Sequence, residues 1–199
     1  PKLELEERRQ RLWAIMDDTL GRGVPWALTR AYWRRRIERI CTDFLNEEAV
    51  RQNEIIHSAF EANGKISLSG LNFTIVARAD RIHLCKDQSI SLFDYKTGKP
   101  PTPAQQRTFD KQLYLMAAIA EVGGFEAVKP APVSEAAFIG LGGSGFYCPA
   151  PFAEKSVQAA WVEFKTLIAA YQDVHQGYTP RRALFKAKDF SQYDQLSRF

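Results

Sequence analysis

The order of elements written in this sequence predicts an α/β chain in which helices flank a mixed central sheet. Three observations carry it: helically spaced apolar residues over the first fifty positions, strict alternation through the middle, and a return to helix, strand and helix. Over residues 5–20, Leu12, Ile15 and Met16 share a helical face. Gly21, Gly23 and Pro25 interrupt the pattern, and residues 26–45 resume it with Trp33, Ile37, Ile40 and Phe44. Past Asn53 the texture changes. A short hairpin is expected around Asn63-Gly64, followed by a strand with Phe73, Ile75, Ala77 and Ala79 on one side. Asp87 supplies the next turn, and Ile90, Leu92 and Asp94 alternate beyond it. Residues 102–122 predict one helix, with Phe109, Leu113, Met116 and Ala120 forming its apolar stripe, and Pro130 and Pro132 end the connection. Residues 134–143 predict a buried strand, residues 142–145 a turn, and residues 152–174 a helix carrying Val157, Trp161, Phe164, Ile168 and Tyr171. From Gly177 the chain is polar and aromatic without a clear period. The expected division is a helical segment, residues 1–52, leading into a core of residues 53–199.

Composition narrows the class. Of 199 residues, 45% are apolar and 25% charged, which excludes a disordered, collagen-like or coiled-coil chain. No stretch approaches the roughly 20 apolar residues that a membrane helix needs, and the charged start is unlike a signal peptide, so a cytoplasmic location is expected. Cys41, Cys85 and Cys148 are too scattered for a disulfide framework or a zinc site. The net charge of +4 is modest, but its distribution is uneven. Residues 30–39 hold Arg30, Arg34, Arg35, Arg36 and Arg39 against Glu38 alone. Near the end, Arg181, Arg182, Lys186, Lys188 and Arg198 stand against Asp189 and Asp194. Each cluster reads either as a polyanion contact or as a solvated charged face.

The chemistry is concentrated on two strands. Side chains alternate along a strand, so Asp94 and Lys96 project on one side while Tyr95 faces away. If the strands pair as a hairpin about Asp87, Asp80 and Asp94 lie equally far from the turn and converge. Two converging carboxylates repel unless a positive charge lies between them, and a hard divalent ion is the usual resolution. Such an ion would hold a phosphate and acidify a water, with Lys96 as a second positive charge on it. A plain surface salt bridge between Asp94 and Lys96 is the bland alternative. Against it, Asp94 breaks an apolar strand and TGKPP turns the chain away at once, leaving the strand end open.

The segments ARADRI, SLFDYKTGKPP and KQLYLMAAI together resemble the PD-(D/E)xK nuclease domains of the RecB family, and within it those of AddB-type subunits. YWRRRIERICTDFL and GYTPRRALFKAKDFSQYDQLSR extend the resemblance over most of the chain. It implies a restriction-endonuclease-like core, with Asp80 and Asp94 as metal-binding carboxylates, Lys96 as the catalytic lysine, the Tyr95 carbonyl as a further ligand, and Gln112 as the family glutamine. The residues themselves give Gln112 either a site lysine, a water or a DNA phosphate as partner, or a structural role capping a nearby carbonyl. The implied cofactor is Mg²⁺ or Mn²⁺. The implied partners are DNA, single-stranded, and an AddA-like helicase-nuclease subunit of a bacterial double-strand break repair machine.

The family pattern is not complete. Relatives place a metal-ligating His on an earlier helix, and nothing between Pro1 and Leu45 matches it, so the chain is expected to be a piece of a longer protein. His83 stands where an Asp often follows ADRI, Glu61 is not favoured as a third carboxylate, and three scattered cysteines do not form an iron-sulfur site. Arg34, Arg35, Arg36, Arg181 and Arg182 are the candidate DNA contacts. The expected function is metal-dependent DNA hydrolysis. A catalytically silent DNA-binding or scaffolding module on the same fold is the main rival, followed by a phosphoesterase for small molecules.

Overall fold

The computed structural model describes residues 3–142 and 147–177. Two helices open it, α1 (Leu5–Gly23) and α2 (Ala27–Arg51). The break expected at Gly21, Gly23 and Pro25 comes later and is shorter: α1 runs through both glycines, and the chain turns only at residues 24–26, around Pro25. Arg30 Nη1 fastens that turn by donating to the Val24 and Pro25 carbonyls at 2.8 and 2.9 Å. Three strands follow, β1 (Ile55–Leu68), β2 (Phe73–Cys85) and β3 (Ile90–Lys96). Then come α3 (Pro103–Thr108), α4 (Gln112–Glu121), β4 (Val133–Gly140), β5 (Tyr147–Pro149) and α5 (Val157–Tyr171).

The sheet runs in order β1-β2-β3-β4-β5, antiparallel except for the parallel β3–β4 pair. A parallel pair needs a crossover, and α3 and α4 supply it. The main core lies between the sheet and α4 with α5, where Ile82, Ile90, Leu92, Leu113, Ile119 and Phe138 are essentially solvent-free. On the other face a smaller cluster of Phe93, Ala137 and Ile139 carries Tyr95 and Leu141 beside it. No helix among the described residues is long and apolar enough to cross a membrane.

Two local expectations are corrected. Asn63 and Gly64 do not form a turn: they lie within β1, paired with Arg78 and Ala77, and the hairpin turns instead at residues 69–72, where Gly70 has φ +77°. Gly64 is there for close approach. A Cβ on it would meet the Phe125 ring at 2.6–2.9 Å, and Phe125 is 1% exposed. Gly64→Ala is therefore expected to destabilise the fold by about 1–3 kcal/mol, because a buried ring has no room to yield. A urea melt that shifts by less than half a kcal/mol would mean the ring moves freely.

The helix expected over residues 102–122 is two. Thr102 and Gln105 form a capping box that starts α3 behind Pro103, and α3 ends at Phe109, which is exposed and lies outside the apolar stripe. Asp110 Oδ1 then accepts the Gln112 N–H at 3.2 Å, restarting the helix as α4. The break sets where Gln112 sits.

Candidate active site

The β2–β3 hairpin turns at Asp87, whose Oδ1 accepts both the backbone N–H and the hydroxyl of Ser89, at 2.9 and 2.6 Å. Its register pairs Leu84 with Ile90, Ile82 with Leu92 and Arg81 with Phe93. The ladder stops there; carried one step further, the same register sets Asp80 opposite Asp94, both seven residues from Asp87. Instead of meeting a β2 carbonyl, the Tyr95 N–H donates to Asp80 Oδ2 at 2.8 Å.

Asp94 and Lys96 share the core-side face of β3 with Ile90 and Leu92. Asp94 is 4% exposed, at the end of a buried central strand. Its Oδ2 lies 2.7 Å from Lys96 Nζ, and its Oδ1 accepts from Gln112 Nε2. Gln112 Oε1 accepts from Lys96 Nζ at 2.8 Å. The amide orientation follows from the partners, since an ammonium only donates and a carboxylate only accepts. Gln112 thus spans the lysine and the carboxylate rather than capping a carbonyl. The Lys96 ammonium also lies 4.9 Å from the Phe138 ring centroid. Burial raises the Asp94 pKa above the ordinary carboxylate range; Lys96 and Gln112 oppose the rise, and the neighbouring Asp80 adds to it.

The donor set suits a hard divalent ion. Asp94 Oδ2 is buried and, although ion-paired with Lys96, receives no well-directed hydrogen bond. Along a strand the N–H and C=O of one residue point to the same edge, and Lys96 turns its carbonyl to β4, where Leu141 N–H donates to it. The Tyr95 carbonyl therefore faces the β2 side, into the gap where Asp80 holds its N–H. Two carboxylates and one carbonyl, with water and phosphate completing the sphere, is a set that Mg²⁺ accepts. Among the described residues no cluster of three or more His, Cys, Asp or Glu forms a fuller cage.

Other sequence candidates lie elsewhere. Glu61 has φ +51° and is paired with Arg78 at 2.8 Å. His83 faces away from the site, on the side of Phe93, with Nδ1 2.8 Å from Ser58 Oγ. Burial first, then the Arg81 and Arg51 cations, push its pKa down to about 4, so it is neutral. Arg34 is paired with Asp17 at 3.4 Å and Arg35 with Glu38 at 2.9 Å, both largely exposed. Such pairs are weak and can exchange for phosphate. Arg36 is differently placed: its Nη2 donates to the Thr97 carbonyl at the exit of β3. Arg181 and Arg182 lie outside the described residues.

Sequence reading missed the support behind the site. Glu48 of α2, 9% exposed, takes Arg81 Nη1 at 2.7 Å and Arg51 Nη1 at 2.8 Å. Arg81 Nη1 also donates to Tyr95 Oη at 3.1 Å, so the strand positions beside both carboxylates are tied to the helix. An acidic residue at the inner edge of a helix was the available signal, but its partner is 33 positions away.

Comparison with known proteins bears on the family of the chain. An uncharacterized protein of Rickettsia bellii is 29% identical over 98 residues, covering 48% of this chain and 12% of that one. Uncharacterized proteins of Rickettsia typhi and Rickettsia conorii are each 28% identical over 102 residues, again 50% of this chain and 12% of theirs. The chain spans about an eighth of the length of these relatives. The sequence profile of the PD-(D/E)XK nuclease superfamily matches residues 2–192, and with a five-stranded mixed sheet carrying Asp80, Asp94 and Lys96 on adjacent strands, the chain belongs to that superfamily.

Proposed function

We propose that this chain is a metal-dependent deoxyribonuclease domain of AddB type. It would hydrolyse a phosphodiester of single-stranded DNA delivered by an AddA-like helicase subunit in double-strand break repair. The observation that carries the nuclease reading is the meeting of Asp80, Asp94, Lys96 and Gln112 in one constellation at the open end of β3. The motif segments from ARADRI to KQLYLMAAI support the finer, AddB-type assignment.

In this reading Asp80, Asp94 and the Tyr95 carbonyl hold Mg²⁺ or Mn²⁺. An ion bound there supplies a water acidified for attack and positive charge for the phosphate. Lys96 places its ammonium against the phosphate oxygens as negative charge grows on them. Gln112 holds that ammonium and Asp94 in one orientation, so the cation need not be reorganised during reaction. Asp94 must be ionised to serve as a ligand, and since burial raises its pKa, cleavage is lost as pH falls through that raised value.

The test is degradation of labelled single-stranded DNA with Mg²⁺ and with EDTA, in the parent and in Lys96→Ala. Deleting the ammonium is expected to slow cleavage by about 10²–10³-fold. Metal affinity, read by calorimetry, should hold or rise slightly, because a cation 2.7 Å from Asp94 no longer competes with the ion. Cleavage at the parental rate would reduce Lys96 to a salt-bridge partner. Degradation that persists in EDTA would remove the metal from the reading.

A further inference from the structure

Resting on the nuclease reading, we propose that Tyr32 is the platform on which one base of an unpaired strand stacks beside the site, and that it makes the domain prefer single strands to duplex. The ring is held at the site's edge by Arg36. One guanidinium nitrogen of Arg36 donates to Tyr32 Oη at 2.6 Å, and the other donates to the Thr97 carbonyl, one residue beyond Lys96. The same guanidinium lies 5.3 Å from the Tyr32 ring centroid and 5.0 Å from that of Trp33. Its seat exists because residue 142 is glycine: a Cβ there would meet Arg36 Nη2 at 2.7 Å and the Thr97 carbonyl at 3.0 Å. Arg36 is thus fixed between helix and strand exit, and Tyr32 is fixed with it.

Tyr32 nevertheless stays 55% exposed. Leu28, one helical turn before it, is 87% exposed, and Arg35 and Arg39 continue the same stripe at spacings of three and four. A flat apolar surface bounded by guanidinium groups, within a segment of net charge +4, suits a ligand with apolar faces and an anionic edge. Nucleotides have that form. Only an unpaired strand can offer a base face, since duplex bases are stacked against one another, and such stacking is indifferent to sequence. Duplex would meet only the arginines, through its phosphates.

Binding is measured by fluorescence anisotropy in EDTA, so that nothing is cleaved, with a labelled oligothymidylate and with a labelled, fully paired blunt-ended duplex. Tyr32→Ala and Tyr32→Leu are expected to weaken single-strand binding by about ten-fold. The duplex affinity and the salt slope should not change, because no phosphate contact is lost. Tyr32→Phe loses the Oη bond but keeps the ring and its contact with the Arg36 guanidinium, 5.3 Å from the centroid, and should keep the preference. Equal losses on both ligands, no loss on either, or a Phe variant as weak as Ala would overturn the platform. The nuclease reading is read separately, from Mg²⁺-dependent degradation that Asp94→Asn removes. A parent that cleaves but is indifferent at Tyr32 loses only the platform. One that prefers single strands through Tyr32 and never cleaves loses the nuclease reading and keeps single-strand binding.

Discussion

Asp94→Asn is expected to lower Mg²⁺-dependent cleavage by about 10³-fold or more, since it removes a charged ligand and the counter-charge of Lys96 together. The same change should alter how stability depends on pH, and the sign is fixed. Burial holds the Asp94 pKa above its unfolded value. Such a carboxyl costs no stability below the unfolded pKa. Its cost grows as pH rises from the unfolded to the folded pKa, and above that it is constant, at about 1.4 kcal/mol for each unit of difference. Asparagine carries no such cost. Urea melts of parent and variant across the acid range should therefore show the variant gaining on the parent as pH rises, then running parallel to it at neutral pH. Adding Mg²⁺ should raise the parent's melting temperature and leave that of the variant in place, because only a ligand that binds the folded state stabilises it. A parent whose melting is indifferent to Mg²⁺ and Mn²⁺, or a variant that cleaves normally, would sink the metal reading of this carboxylate.

What could be read from the sequence is what two-residue alternation and turn chemistry determine. Asp80 and Asp94 meet because both lie seven residues from Asp87, a turn former whose carboxylate closes the turn on Ser89. The face shared by Asp94 and Lys96, and the opposite face taken by Tyr95, follow from the pleat. Gln112 could be given a list of partners but not one of them, because the break between α3 and α4 decides which way it points. Asn63-Gly64 misled for a physical reason. Gly serves a turn by allowing positive φ and serves a strand by allowing close approach, and only the buried Phe125 ring, 61 positions away, tells the two apart. Arg36 belongs in sequence to one basic patch with Arg34 and Arg35, yet its bond to Thr97 joins residues 61 positions apart. Charge runs along a helix are local in sequence; what each charge meets is not.

The largest stability effect should come from Glu48, a residue with no part in the motif. It is buried between two guanidinium groups, with side chains of Arg81, Arg51 and Glu48 exposed by only 7%, 11% and 12%. Arg51 also lies over the Phe93 ring at 4.9 Å and has a second, exposed partner in Glu47 at 3.4 Å, whereas Arg81 has the Tyr95 hydroxyl beside Glu48. Glu48→Ala leaves both charges without their shared acceptor, and breaking a buried pair in this way typically costs about 3–5 kcal/mol. At roughly 2–4 °C per kcal/mol for a chain of this size, the melting temperature should fall by about 10 °C. Glu48→Gln keeps one oxygen for one arginine and should lose distinctly less. Replacing Glu48 and Arg81 together by methionine should recover part of the loss, because the penalty lies in the stranded charge more than in the missing attraction. Arg81 Nη1 is shared between Glu48 and the Tyr95 hydroxyl, and Tyr95 gives its N–H to Asp80. Well below its melting point, Glu48→Ala should for that reason need more Mg²⁺ for half-maximal cleavage, while Gly64→Ala, which acts on the Phe125 ring and touches no member of the Glu48 network, should not. If both variants show the parental Mg²⁺ requirement, the Glu48 network holds the fold alone and does not set the carboxylates.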